Sequence, residues 1–121
     1  MERTNFENLI VYKLAENLAD TIWNVVYYWN AFTKNTIGLQ LVRASDSIGA
    51  NIAEGTGRGS ANDNRRFVRI ARGSLFESKH WLRRAVKRNL LTQKQIEQIK
   101  LIIDELSPRL SAYINSIKKN N

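Results

Sequence analysis

The chain has 121 residues, 43% hydrophobic and 25% charged; these totals argue against intrinsic disorder and predict a single domain over residues 1–121. A formal net charge of +8 favours anionic partners. The lack of cysteine excludes disulfides and thiolate metal sites. Because residues 1–9 lack the apolar segment of a signal peptide and no apolar run is long enough to span a membrane, we expect a cytoplasmic protein with no membrane partner.

The first predicted helix runs from about residue 7 to residue 29. Apolar residues recur on one face at helical spacing: Val11, Leu14, Ala15, Leu18, Ile22, Val25, Val26 and Trp29. Beside this stripe lie Tyr12, Trp23 and Tyr27. They are either half-buried amphipathic rings or part of a subunit interface, where aromatic residues are enriched, and the sequence leaves both interpretations open.

The second predicted helix runs from about residue 37 to residue 54, after a connection at 30–35 with Asn35 or Thr36 as N-cap. Its apolar stripe is formed by Ile37, Leu41, Ala44, Ile48 and Ile52. Small residues surround that stripe, and Gly49 in a helix interior costs up to about 1 kcal/mol relative to alanine. We therefore expect another helix to approach closely at Gly49.

The glycine-rich segment 55–60 predicts a turn between two helices. Gly55 suits a left-handed C′ position, and Ser60 with Asp63 resembles a capping box. The segment follows a helix and lacks the Lys-Ser/Thr of a P-loop, which argues against a nucleotide site. Asn51 and Glu54 are polar residues near the end of the second helix, and we expect Glu54 to pair with Arg58 or with an arginine early in the third helix.

The third predicted helix, about 63–89, segregates charge to one side. The inner side is predicted to hold Phe67, Ile70, Ala71, Ser74, Leu75, Ser78, Trp81, Leu82 and Ala85. The other side holds nine cations: Arg65, Arg66, Arg69, Arg72, Lys79, Arg83, Arg84, Lys87 and Arg88. Only Asp63 and Glu77 oppose them, so this segment carries almost all of the net charge.

Two interpretations account for this basic face. Long basic side chains form helices well and keep a surface hydrated. However, a merely solvated helix usually alternates Glu with Lys, whereas here like charges stack one turn apart. Arginines along one helix face can follow a phosphate backbone. The pattern therefore favours nucleic acid, or an acidic protein surface, over plain solvation.

The fourth predicted helix begins at a capping box formed by Thr92 and Gln95. Its apolar arc is formed by Ile96, Ile99, Ile102, Ile103, Leu106, Leu110, Tyr113, Ile114 and Ile117. Because this arc continues past Pro108, we expect one helix kinked near Asp104 and a frayed tail at 118–121. Four helices joined by short loops predict an all-α, antiparallel up-down-up-down bundle.

The sequence offers little for catalysis or cofactor binding. His80 lies among cations, with no carboxylate placed to orient it. The Glu77 to His80 spacing matches half of a bundle metal motif, but no second copy exists, and we interpret it as coincidence. We therefore expect neither an enzyme nor a metal or cofactor site.

A longer pattern resembles a known family. It comprises residues 47–55, Arg58, Ser60, Arg66-Phe67, Ile70-Ala71 and residues 73–77, with Phe6, Leu9, Val11-Tyr12 and Ala15 at the start. This pattern resembles the four-helix-bundle proteins encoded in intervening sequences of bacterial large-subunit ribosomal RNA genes. Many members of that family carry Pro-Ser where this chain has Gly49-Ala50.

The family includes the accessory variability determinant of diversity-generating retroelements, a basic homopentameric barrel that binds a reverse transcriptase and nucleic acid. The resemblance implies a four-helix bundle that assembles into a homopentamer, with Tyr12, Trp23 and Tyr27 as candidate interface residues. It also implies that Asn51, Glu54, Gly55, Arg58 and Ser60 form a structural motif. The expected function is a non-catalytic accessory protein that binds RNA or DNA and a reverse transcriptase. The alternative is an oligomeric scaffold that binds an acidic protein.

Overall fold

The computed structural model describes residues 6–117 of the chain and confirms the four-helix bundle. The first helix is Ile10–Tyr27, the second Leu39–Thr56, the third Ala61–Lys87 and the fourth Gln93–Ser116. Each helix packs against the next one in the chain, and the fourth packs back against the first. Strands are absent from the described part of the chain. The four helices thus surround one core, and no helix within residues 6–117 combines the length and apolarity needed to cross a bilayer.

The core consists of aliphatic residues at helical spacing, because each helix buries one stripe against the other three. The first helix contributes Val11, Ala15, Leu18, Ile22 and Val26, and the fourth contributes Ile99, Ile102, Leu106, Leu110 and Ile114. The buried residues of the third helix are Val68, Ala71, Leu75, Ser78, Leu82 and Ala85. The predicted inner face of the third helix is therefore wrong at Ile70, which is 45% exposed, and it omitted the fully buried Val68.

The connection between the first two helices is more helical than predicted. It contains a helical turn, Ala31–Thr33, followed by a π-helical turn, Lys34–Gly38, that leads directly into the second helix. Asn30 is the N-cap, since its side chain accepts a hydrogen bond of 2.9 Å from the Thr33 N–H. The prediction of Asn35 or Thr36 as N-cap is wrong because the chain is already helical at those positions.

The turn between the second and third helices uses its glycines differently from the prediction. Gly55 is buried within the last turn of the second helix and does not adopt a positive φ. A Cβ atom at Gly55 would lie 2.6 Å from Asn64 Oδ1 and 3.1 Å from the Asn64 carbonyl oxygen, so the close approach of the third helix requires glycine there. The left-handed residue is instead Gly59, with φ of 81°.

The helix termini confirm two predicted caps. The Ser60 hydroxyl accepts a hydrogen bond of 3.1 Å from the Asp63 N–H at the start of the third helix. Thr92 and Gln95 form a reciprocal capping box at the start of the fourth. The fourth helix continues through Pro108 as a single helix, as expected. The bend near Asp104 stays a prediction, and the predicted frayed tail at 118–121 lies outside the described residues.

Candidate functional site

The third helix presents the chain's main concentration of charge. Its 27 residues make a rod about 40 Å long. Asp63 lies in its first turn, and Arg84 and Lys87 lie in its last turn. Both placements complement the helix dipole and stabilise the two ends. The helix therefore forms one side of the bundle and carries basic side chains along its length.

Six cations form a basic strip along this helix. At about 100° per residue, they fall within a sector of roughly 80° beside the buried stripe. They are Arg65, Arg69, Arg72, Lys79, Arg83 and Lys87. Arg69, Arg83 and Lys87 are exposed, and the other three are half-buried. Within residues 6–117, none of these six side chains lies within 4 Å of an acidic group, so their charges are not neutralised by this part of the chain.

The other three predicted cations lie apart from the basic strip. Arg66 lies 3.7 Å from the Asp63 carboxylate and 4.8 Å above the centre of the Phe67 ring. Arg84 is half-buried in the last helical turn, and Arg88 is the exposed C-cap residue. Arg66 is thus partly engaged within the protein, whereas the strip cations lack such acidic partners.

Arg65 has a second role within the strip. Its guanidinium donates a hydrogen bond of 3.0 Å to the carbonyl oxygen of Ile117, just after the fourth helix ends. This contact joins the beginning of the third helix to the end of the fourth. Arg65 therefore contributes to the fold as well as to the charge of the strip.

An aromatic residue, Phe76, lies in the middle of the strip and was not among the predicted site residues. Phe76 is 62% exposed, and Lys79 Nζ lies 5.0 Å from the centre of its ring. Phe76 follows Arg72 by four residues and precedes Lys79 by three, so these side chains are neighbours on the helix surface. That spacing is visible in the sequence and would have placed Phe76 on the basic face.

An apolar groove borders the strip between the third and fourth helices. These two helices pack least closely of the four neighbouring pairs. The groove has a volume of about 780 Å³. Its apolar lining includes Leu82, Val86, Leu91, Ile96, Ile99 and Ile103, and its basic edges include Lys79, Arg83, Lys87 and Lys100. The groove thus combines an apolar floor with a predominantly cationic rim.

The predicted interface residues separate into two places. Trp23 and Tyr27 are 54% and 58% exposed one turn apart on the first helix, and Tyr28 lies beside Tyr27 with ring centres 5.2 Å apart, so these three residues form an aromatic patch at one end of the bundle. Tyr12 instead packs against the core, 5.0 Å from Phe6 between ring centres. Its ring would lie 3.5 Å from a Cβ atom at Gly49. The structure therefore places Tyr12 between the first two helices, away from the aromatic patch.

His80 and the acidic residues near it form no metal-binding cluster in the described part of the chain. No cluster of three or more His, Cys, Asp or Glu residues within 6–117 could hold a metal ion. His80 is exposed beside Trp81, with ring centres 4.8 Å apart. The Glu77 carboxylate accepts a hydrogen bond of 3.4 Å from the Trp81 indole N–H. Glu77 therefore engages Trp81 and not His80.

Comparison with known proteins places this fold in a family. The family model of the 23S rRNA-intervening sequence protein matches residues 7–112. The chain belongs to this family. The chain is also similar to a solved structure, that of a protein of unknown function from the S23 ribosomal protein family of Bacteroides thetaiotaomicron VPI-5482. The two share 26% identity and a TM-score of 0.77 over 88% of this chain and 100% of that chain. A search of curated protein sequences finds no match.

In this 23S rRNA-intervening sequence protein, part of the pattern that suggested the family holds the second and third helices together. The Asn51 amide donates hydrogen bonds to the Ser47 carbonyl oxygen at 2.8 Å and to the Ser47 hydroxyl at 2.9 Å. The same hydroxyl accepts a hydrogen bond of 3.0 Å from Ser74 on the third helix. Asn51 therefore orients a serine contact between the two helices.

The rest of the motif pins the turn between these helices. Arg58 lies 3.4 Å from the Glu54 carboxylate, so the predicted pairing of Glu54 with Arg58 is confirmed. The Arg58 guanidinium also lies 5.1 Å from the centre of the Phe67 ring. Together with Gly55 and Ser60, these residues hold the turn in place. These contacts accordingly join the end of the second helix to the start of the third.

Proposed function

We propose that this protein is a non-catalytic accessory protein that binds nucleic acid along the basic strip. The observation that carries the proposal is the six strip cations without an acidic neighbour within 4 Å among residues 6–117. A row of like charges on one helix face destabilises the isolated protein, whereas a phosphate backbone neutralises those charges and releases its own counterions. A polyanion is therefore the partner that offsets the cost of this surface.

The partners that the family resemblance implies belong to the same proposal. The strip would hold template RNA or cDNA next to a reverse transcriptase, which is the role that the resemblance to the accessory variability determinant implies. A homopentamer would place five copies of the third helix in one assembly. Five basic strips would then act together on one strand and raise the effective concentration of cations around it.

Binding of a fluorescein-labelled oligouridylate, measured by fluorescence anisotropy over a series of salt concentrations, tests this function. The logarithm of affinity should fall linearly with the logarithm of salt concentration, with a slope of about −0.7 per neutralised phosphate on a single strand. The double variant Arg83→Glu/Lys87→Glu should bind more weakly and show a shallower slope. Its melting temperature should be unchanged or higher, because repulsion along the helix is relieved.

A matched control distinguishes the effect of the strip on affinity from the effect of net charge alone. Lys13→Glu/Lys94→Glu changes the total charge equally at two exposed cations outside the strip. This control should retain most of the affinity of the parent protein. The proposal is wrong if the two double variants lose affinity equally, or if the strip variant binds like the parent at low salt.

A second candidate function rests on the apolar groove beside the strip. Its apolar floor and cationic rim suit an amphipathic helix with acidic flanks from a partner protein, which binds such grooves through residues spaced one turn apart. This is the scaffold alternative. Val86 is exposed on the groove wall, so Val86→Gln changes apolar character without changing charge. Val86→Gln should weaken binding of an acidic amphipathic peptide and leave oligouridylate binding intact.

A further inference from the structure

An aromatic side chain exposed within a cationic surface is the least expected feature of the third helix. Phe76 keeps 62% of its surface in contact with solvent although it lies in the middle of a regular helix. Its ring lies between Arg72 and Lys79 on the helix surface. A phenylalanine at this position buries little apolar area, so the folded monomer gains little from it.

The surroundings of the ring leave it accessible. Lys79 is the residue whose cation lies over the ring, at 5.0 Å from its centre. Gly73 lies one turn before Phe76, and a Cβ atom built there would meet nothing within 4 Å. The absence of a side chain at Gly73 leaves open space beside Phe76 on the basic face.

We propose that Phe76 stacks on a nucleobase and makes the basic strip a site for single-stranded nucleic acid in preference to duplex. The inference rests on the proposed function, because the strip supplies the contacts to phosphate. Exposed aromatic rings set among cations bind single strands in this way, since every unpaired base offers a face for stacking. In a duplex the base faces are covered by neighbouring pairs, so Phe76 gains a stacking partner there only if a base leaves the helix.

The charge around Phe76 argues against a contact between two copies of the same strip. Arg72 and Lys79 flank the ring, and Arg69 and Arg83 lie one further turn away on each side. Bringing two identical strips together would place these cations against one another, which is electrostatically unfavourable. A nucleic-acid strand provides both the base and the negative charge that this surface lacks.

The test compares an oligouridylate with a duplex of equal phosphate number, by anisotropy over a series of salt concentrations. Phe76→Ala should lower the affinity for the single strand about five- to 150-fold, the change that corresponds to one stacked base. Its affinity for the duplex and the slope of the salt dependence should stay as in the parent. Phe76→Trp should restore single-strand binding, whereas Phe76→Leu should not, because leucine is apolar but lacks a ring.

Two controls define the outcomes. Leu101→Ala removes an apolar side chain that is 74% exposed on the fourth helix, outside the strip, and should leave both affinities unchanged. Base stacking is refuted if Phe76→Ala weakens the binding of duplex and single strand equally, weakens neither, or changes the oligomeric state measured by sedimentation. In each of these cases, salt-dependent binding by the parent protein still supports the proposed function. If the parent shows no salt-dependent binding to either substrate, the proposed function itself fails.

Discussion

The guanidinium of Arg65 and the carbonyl oxygen of Ile117 are 3.0 Å apart, although 52 positions separate the two residues in the chain. This hydrogen bond closes the end of the bundle where the third helix begins and the fourth ends. Charge-assisted hydrogen bonds of this kind contribute about 1.5–3 kcal/mol to stability. Arg65 thus differs from the other cations of the basic strip.

We expect Arg65→Ala to lower the free energy of unfolding by about 1–2 kcal/mol, less than the full range because Arg65 is only half-buried. Arg69→Ala removes an exposed strip cation four residues later and should leave stability unchanged or slightly raised, since repulsion is reduced. Urea denaturation of both variants measures the difference. Equal unfolding free energies would show that the contact between Arg65 and Ile117 contributes nothing.

The packing of Gly49 predicts opposite effects for two substitutions. A Cβ atom at Gly49 would lie 3.5 Å from Tyr12 Cε1 and 3.9 Å from Ala15 Cβ, which are ordinary contact distances. Gly49→Ala should therefore stabilise the protein by up to about 1 kcal/mol through higher helix propensity. Gly49→Leu should destabilise it by about 1–3 kcal/mol, because the added carbons must displace Tyr12 or separate the two helices.

Thermal denaturation of both Gly49 variants, followed by circular dichroism, checks this pair. Gly73→Ala provides a control helix glycine, because a Cβ atom there meets nothing within 4 Å. It should stabilise the protein by about 0.5–1 kcal/mol. A Gly49→Leu variant that melts at the temperature of the parent would contradict close packing against the first helix.

The aromatic patch predicts self-association, most simply the homopentamer that the family resemblance implies. Trp23 and Tyr27 expose apolar surface on the same side of the first helix, and such patches mark interfaces. Trp23→Glu/Tyr27→Glu should shift the protein to monomer in multi-angle light scattering. Leu101→Glu changes an exposed apolar residue on the fourth helix and should leave the oligomer intact. A monomeric parent at micromolar concentration would refute the prediction.

Asp46 predicts a pH-dependent contribution to stability. Burial raises the pKa of the Asp46 carboxyl above its usual value of 3.8, and the negative charge of Asp20 raises this pKa further. Since the folded state holds this proton more tightly than the unfolded state, the contribution of Asp46 to stability is fully present below pH 3.8. That contribution is lost as pH rises through the raised pKa of the folded state.

Asp46→Asn should therefore gain stability relative to the parent above the raised pKa, and this advantage should diminish as pH falls through that pKa and be absent below 3.8. Urea denaturation of the parent and of Asp46→Asn at a series of pH values measures this difference in stability. Glu16→Gln removes an exposed carboxylate on the first helix and serves as control, with a smaller gain expected. An advantage of Asp46→Asn that is constant over the whole pH range would contradict the linkage to this carboxyl.

The sequence by itself determined the four helices, most of their core residues and the segregation of charge along the third helix. These features depend on the period of the helix, which relates residues three and four positions apart. The caps at Ser60 and Thr92 were predictable for the same reason, since their hydrogen bonds span three residues.

Only the tertiary structure decided which side of the third helix faces the core and which glycines are required by close packing or by a positive φ. Close packing against the second helix centres the buried arc on Ala71, Leu75 and Ser78, so Val68 is buried and Ile70 faces solvent. Glycine is required at position 55 because Asn64, nine positions away, lies where a Cβ atom would be in close contact. Arg65 donates its hydrogen bond to the carbonyl oxygen of Ile117, 52 positions away. These contacts join residues that are distant in the chain, and local periodicity carries no information about them.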